Sequence, residues 1–179
     1  MIKNLLYEFM NMVETNQIEI YNEFSLQHEL GIFLRNNLCD YKVQFERNTK
    51  FFGITGTVKH EIDIVIYNDL EKYAIELKYP LNGQHPEQMY SFAKDICFME
   101  QLKKYNFTST YCLTVVNDSK FYSGLKTDGI YSYFRNGNIL TGTITKPTGK
   151  KDESIFLNNH YHIKWEGIGP KLKYYVVDI

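Results

Sequence analysis

What this sequence lacks narrows its function before any motif is read. No apolar run approaches the roughly eighteen residues needed to cross a bilayer, so no membrane-spanning helix is expected. The first residues carry neither a basic stretch nor a small-residue cleavage site, which argues against export. Cysteine is scarce: Cys39, Cys97 and Cys112 form an odd set, widely separated, in apolar segments and without metal-ligand spacing. Reduced, packed thiols in a cytoplasmic protein are the expectation. Repeats and low-complexity tracts are missing as well, and 179 residues suit one domain with a substantial core. Strong net charge is also absent. The formal value of −1 does not resemble that of a general nucleic-acid binder. The average hides an asymmetry, because residues 1–118 hold 11 Lys and Arg against 16 Asp and Glu, whereas residues 119–179 hold 9 against 5. The basic third could meet phosphate or could be an ordinary solvated surface.

What is present alternates between helical and strand periodicity. Ile2, Leu5, Leu6, Phe9 and Val13 recur at helical spacing and predict an amphipathic helix over 2–14. After an irregular link from Asn16 to Asn22, Ser25 is a fitting N-cap for a second helix, Leu26 to Leu38. Tyr41 to Arg47 alternates as a strand, and the glycines of Phe52–Gly56 mark a loop. Pro86 suits a helix start, and Met89, Phe92, Ala93, Ile96, Cys97, Met99 and Leu102 predict a long helix from Glu87 to Tyr105. Thr108 to Val116 reads as a buried strand. Strand, hairpin, crossover helix and strand make an α/β core with a mixed sheet flanked by helices.

The most informative segment is the hairpin. His60–Tyr67 and Lys72–Pro80 are β-branched, apolar runs joined by Asn68-Asp69-Leu70-Glu71. Strand side chains alternate, so Glu76 and Lys78 share one face while Ile75 and Leu77 share the other. Asp63 lies six residues before Asp69 and Glu76 seven after it, which sets the two carboxylates roughly opposite each other. Two ionised carboxylates about 4 Å apart repel by roughly 4 kcal/mol at an effective dielectric near 20. Something positive must sit between them, and a hard divalent cation suits oxygen ligands. The plain alternative is a cross-strand ion pair on a solvated face.

Asp63, a hairpin, then Glu76-Leu77-Lys78 resembles the core of the PD-(D/E)xK nuclease superfamily. The resemblance covers roughly Ser25 to Val116 and identifies no subfamily. It implies a restriction-endonuclease-like core in which Asp63 and Glu76 hold Mg2+, with Mn2+ able to substitute. It further implies that the Leu77 carbonyl adds a ligand and that Lys78 orients or helps deprotonate the attacking water. A Glu from the preceding helix often reaches the metal, and Glu29 is the candidate; first-turn dipole compensation is the other reading of it. The proline expected before the Asp is replaced by Ile62.

Gln88, Lys94 and Asp95 could point towards this site, with Gln88 and Lys94 as candidates for substrate contact. Gln88 to Phe92 comes close to the Gln-x-x-x-Tyr motif of exonuclease-like members but has Phe92 for the Tyr, and Gln101 to Tyr105 matches further along. Residues 118–179 read as a β-rich extension with turns at Asp128-Gly129, Asn136-Gly137 and Thr148–Lys151. Its ten aromatics, interleaved with basic residues, could form a stacking surface or pack a β layer. His160 and His162 lack a third ligand and are structural. The expected activity is metal-dependent hydrolysis of DNA, by a homodimer if both strands are cut. A non-catalytic binding module retaining the fold is the alternative.

Overall fold

The computed structural model of the chain describes residues 1–149 and 152–179. Among them the elements run α1 (Ile2–Glu14), α2 (Glu23–Asn37), β1 (Lys42–Asn48), β2 (Glu61–Tyr67), β3 (Lys72–Lys78), α3 (His85–Lys103), β4 (Ser109–Val116), α4 (Ile130–Arg135), β5 (Leu140–Thr145), β6 (Ser154–Tyr161), β7 (Glu166–Ile168) and β8 (Leu172–Asp178). Six strands make one sheet in the order β1-β2-β3-β4-β8-β7, and β5 pairs with β6 separately. β3 and β4 are parallel, and the other pairings are antiparallel. Parallel neighbours need a crossover, which α3 supplies. The expected α/β class with a mixed sheet between helices is what the chain adopts. None of the described helices is long and apolar enough to cross a membrane.

Each sheet face has its own core. On one side Leu6, Phe9, Leu30 and Leu34 of α1 and α2 pack on Ile64, Ile66, Ile75 and Leu77. On the other, Met89, Ala93 and Ile96 of α3 meet Val65, Ala74, Cys112 and Tyr175, with α4 and the β5–β6 hairpin outside. Strand parity therefore sends Ile75 and Leu77 to the α1/α2 face. Glu76 and Lys78 follow Ala74 towards α3, as the alternation predicted.

Three expectations change. α2 starts at Glu23, not Leu26, because Asn22 is the cap and Ser25 is its third residue. Asn22 Oδ1 accepts from Ser25 N–H at 2.7 Å and Ser25 Oγ accepts from Asn22 N–H at 3.0 Å, a reciprocal capping box. Residues 118–179 are not an appendage to the core, since β8 pairs with β4 from Tyr111↔Asp178 to Val116↔Lys173 and completes the central sheet. The segment between Gly129 and Gly137 is helical rather than strand-like. The turn expected at Thr148–Lys151 extends into residues outside those described.

Candidate active site

The β2–β3 ladder runs from Tyr67↔Lys72 to Ile64↔Ile75 and stops. One step further along that register Asp63 faces Glu76, and side chains take over from backbone pairing. Leu77 N–H donates to Asp63 Oδ2 at 2.7 Å, and Asp63 N–H donates to Glu76 Oε1 at 3.3 Å. β1 is irregular at the same level: Phe45↔Ile64 and Arg47↔Ile62 pair, while Glu46 between them has φ 46°. A non-glycine residue in that left-handed region marks a local kink. β3 continues beside β4 as far as Lys78↔Thr114. The two carboxylates thus lie where the hairpin ladder ends.

Two lysines and two more acids surround them. Lys59, from the loop before β2, bonds Glu76 Oε2 and reaches Asp95 Oδ1 of α3 at 2.9 Å. Lys78 Nζ lies 3.4 Å from Asp95 Oδ2 and 3.7 Å from Glu23 Oε1, and donates to the Leu77 carbonyl at 2.9 Å. Asp95 Oδ2 is buried and accepts no hydrogen bond among the described residues. Glu23 Oε2 accepts from Tyr79 N–H at 3.1 Å, and Gln27 Nε2 bridges the Asp63 carbonyl and Glu46 Oε1. Glu23, Glu46 and Asp63 line two adjoining depressions: one also bordered by Phe24, Gln27 and Leu77, the other by Lys59, His60, Glu61 and Lys78.

Four carboxylates against two ammonium groups leave this cluster short of positive charge. Burial raises the Asp63 carboxyl to about 6, against the opposing pull of Lys59 and Lys78. Burial also lifts Glu76, which is 1% exposed, well above its ordinary range, and Asp63 and Asp95 push it further. For both lysines burial favours the neutral amine, but the carboxylates led by Asp95 outweigh it and hold them as ammonium ions.

Asp63, Glu76, Leu77 and Lys78 meet at this point as the sequence suggested. Glu29 does not join them: its side chain is 38% exposed and lies 3.6 Å from His28. The helical acid beside the site is Glu23, six residues and hence about 600° of helix rotation away, on a different face. Gln88 donates to Asn82, and Lys94 lies 3.8 Å from Glu153; neither lines the depressions. Asp95, next in the chain, is the α3 residue that enters. Gln101 and Tyr105 instead fasten the loop before β2, Gln101 Oε1 accepting from Val58 N–H and Tyr105 donating to the Thr55 carbonyl. Of the C-terminal aromatics, Phe121, Phe134, Tyr161, Tyr174 and Tyr175 are buried and Phe156 is exposed, so packing explains most of them. Cys97 and Cys112 are packed thiols, whereas Cys39 is exposed.

Among the described residues no three His, Cys, Asp or Glu side chains close on one point as a metal cage. The donor chemistry still fits a hard cation. Asp63 Oδ1 accepts no hydrogen bond within the described chain, Glu76 adjoins it, and the Leu77 carbonyl is one residue on. Mg2+ is commonly held by one or two carboxylates with water completing the shell. No family model matches the chain, and neither curated proteins nor solved structures provide a match.

Proposed function

We propose that this protein is a divalent-metal-dependent nuclease, built on a restriction-endonuclease-like core and acting on DNA. The observation that carries the reading is the meeting of Asp63 and Glu76 at the end of the β2–β3 ladder, with Lys78 next on the same face. Four carboxylates against two ammonium groups, with Asp63 and Glu76 raised chiefly by burial, support a cation at this site. Bound Mg2+ or Mn2+ would lower the pKa of a coordinated water and offset charge on the phosphate. Asp63, Glu76 and the Leu77 carbonyl would hold it. Lys78, kept cationic by Asp95 and Glu23, donates hydrogen bonds that fix the attacking water or a phosphate oxygen. Phe24, 73% exposed at the rim beside Asp63, offers a ring on which a base can stack. A homodimer belongs to the proposal where both strands are cut, and so does a reducing, cytoplasmic setting, which the free thiols support.

The test is incubation with single-stranded, duplex, nicked and branched DNA, and RNA, in Mg2+ or Mn2+, beside Lys78→Ala. Cleavage by the wild type, reduced about 100-fold or more in the variant, is the expected result. Equal cleavage by both would sink the role of Lys78. One observation favours the second reading, a binding module without catalysis: the Lys59 ammonium already bridges Glu76 and Asp95 from within. In that case calorimetry finds no Mg2+ or Mn2+ binding for Asp63→Ala or the wild type to lose.

A further inference from the structure

Lys59 has no place in the motif that led to this site, yet it makes the site's closest cationic contacts. Its ammonium lies between Glu76 and Asp95, with Nζ over the Phe98 ring, 5.8 Å from the centroid. Glu76 is the carboxylate that must turn to a metal, and Lys59 holds its Oε2. We infer that Lys59 sets the metal affinity of this site, its ammonium being an internal occupant that an incoming divalent cation displaces. The inference rests on the metal-dependent reading above.

The geometry separates a fixed backbone from a movable head. The loop carrying Lys59 is fastened to other segments at three points and braced within itself at a fourth. Val58 N–H donates to Gln101 at 2.8 Å, Tyr105 donates to the Thr55 carbonyl at 3.1 Å, Thr57 Oγ1 donates to the Lys59 carbonyl at 2.5 Å, and Thr49 N–H donates to the His60 carbonyl at 2.8 Å. Only the four-carbon side chain is free to swing. Its side chain is 26% exposed and borders the depression that Glu46 and Glu61 also line, so other carboxylates stand near its outward path. A doubly charged ion seated on Asp63 and Glu76 would repel an ammonium already bonded to Glu76 at close range. The two cannot share Glu76 without loss. Asp95 would keep Lys78 as its partner after Lys59 leaves.

The experiment is calorimetric titration of the full chain with Mn2+ and with Mg2+, without nucleic acid, comparing wild type, Lys59→Met and Lys59→Arg. Lys59→Met keeps the length of the stem and removes the charge. It should bind the ions at least about tenfold more tightly, while Lys59→Arg stays near the wild type. In the wild type, acylation of Lys59 by an amine-reactive reagent, followed by mass spectrometry, should accelerate when Mn2+ is added. That arm needs no variant to fold. Equal or weaker metal binding by Lys59→Met, or Lys59 reactivity indifferent to a bound ion, would overturn the inference and leave the metal site standing. No binding by any of the three proteins would overturn both.

Discussion

Asp63 carries an energetic cost that its neighbours only partly offset. Its carboxyl is half-buried beside the fully buried Glu76 and is raised to about 6, so its ionised form is held against desolvation and like charge. Asn at this position would keep an acceptor for Leu77 N–H and remove the charge. In EDTA at neutral pH, Asp63→Asn should therefore be more stable than the wild type by about 1–3 kcal/mol. Thermal denaturation would show a rise of about 2–4 °C for each kcal/mol in a chain of this size. Saturating Mg2+ should then stabilise the wild type and not the variant. A variant less stable than wild type in EDTA would contradict the idea that burial of this carboxylate costs stability. At this scale the pair Asp63 and Glu76, with Lys78, was legible because hairpin spacing and strand parity are local properties. Lys59 was not, because it acts from an irregular loop whose placement depends on Gln101 and Tyr105, far along the chain. Glu23 is not legible because Ser25 resembles an N-cap, although the helix is capped three residues earlier at Asn22.

Among the elements, α3 does more than cross from β3 to β4. Glu100, 4% exposed, accepts from Asn158 N–H at 2.9 Å, Asn158 Nδ2 at 3.0 Å, Asn159 N–H at 2.8 Å and the Tyr161 hydroxyl at 2.8 Å. One carboxylate thus fastens β6, and with it the β5–β6 hairpin, to the sheet's helical layer. Burial alone would raise this carboxyl, but the four donors outweigh it and hold it below its ordinary value of 4.5. A lowered acid contributes stability that is present above its unfolded value and is lost as pH falls through the folded one. Glu100→Gln should cost about 2–3 kcal/mol above pH 5, since an amide cannot accept at both atoms. Urea denaturation across pH should show that gap narrowing below about 4.5. A gap independent of pH would mean that packing, not charge, makes the clamp. Helical periodicity revealed α3 but not this role, because a single Glu on an apolar stripe carries no sequence signal of its partner 58 residues away.

For the whole molecule the question is where the folding unit ends. By sequence alone the core closes near Asn117, because strand, hairpin, helix and strand are a complete α/β pattern there. β8 changes that, and the reason lies in β4. Leu113, Val115 and Val116 are fully buried, and Cys112 nearly so, by cores on both faces. Such a strand also needs both of its edges paired, one by β3 and the other by β8. Removing residues 118–179 would strip the β8 pairing and take away Tyr175, Phe121 and Phe134, which cover α3. An unpaired, apolar edge strand is a template for aggregation. A fragment of residues 1–117 should accordingly be insoluble or lack cooperative unfolding by circular dichroism, with its helices packed on an open sheet. A soluble fragment with a single sharp transition would instead establish the shorter core as autonomous. Local periodicity does not place β8 in the central sheet, because its partner, β4, precedes it by about 60 residues. Pairing across that distance is set by which edge the crossover leaves open, a tertiary fact that no local period encodes.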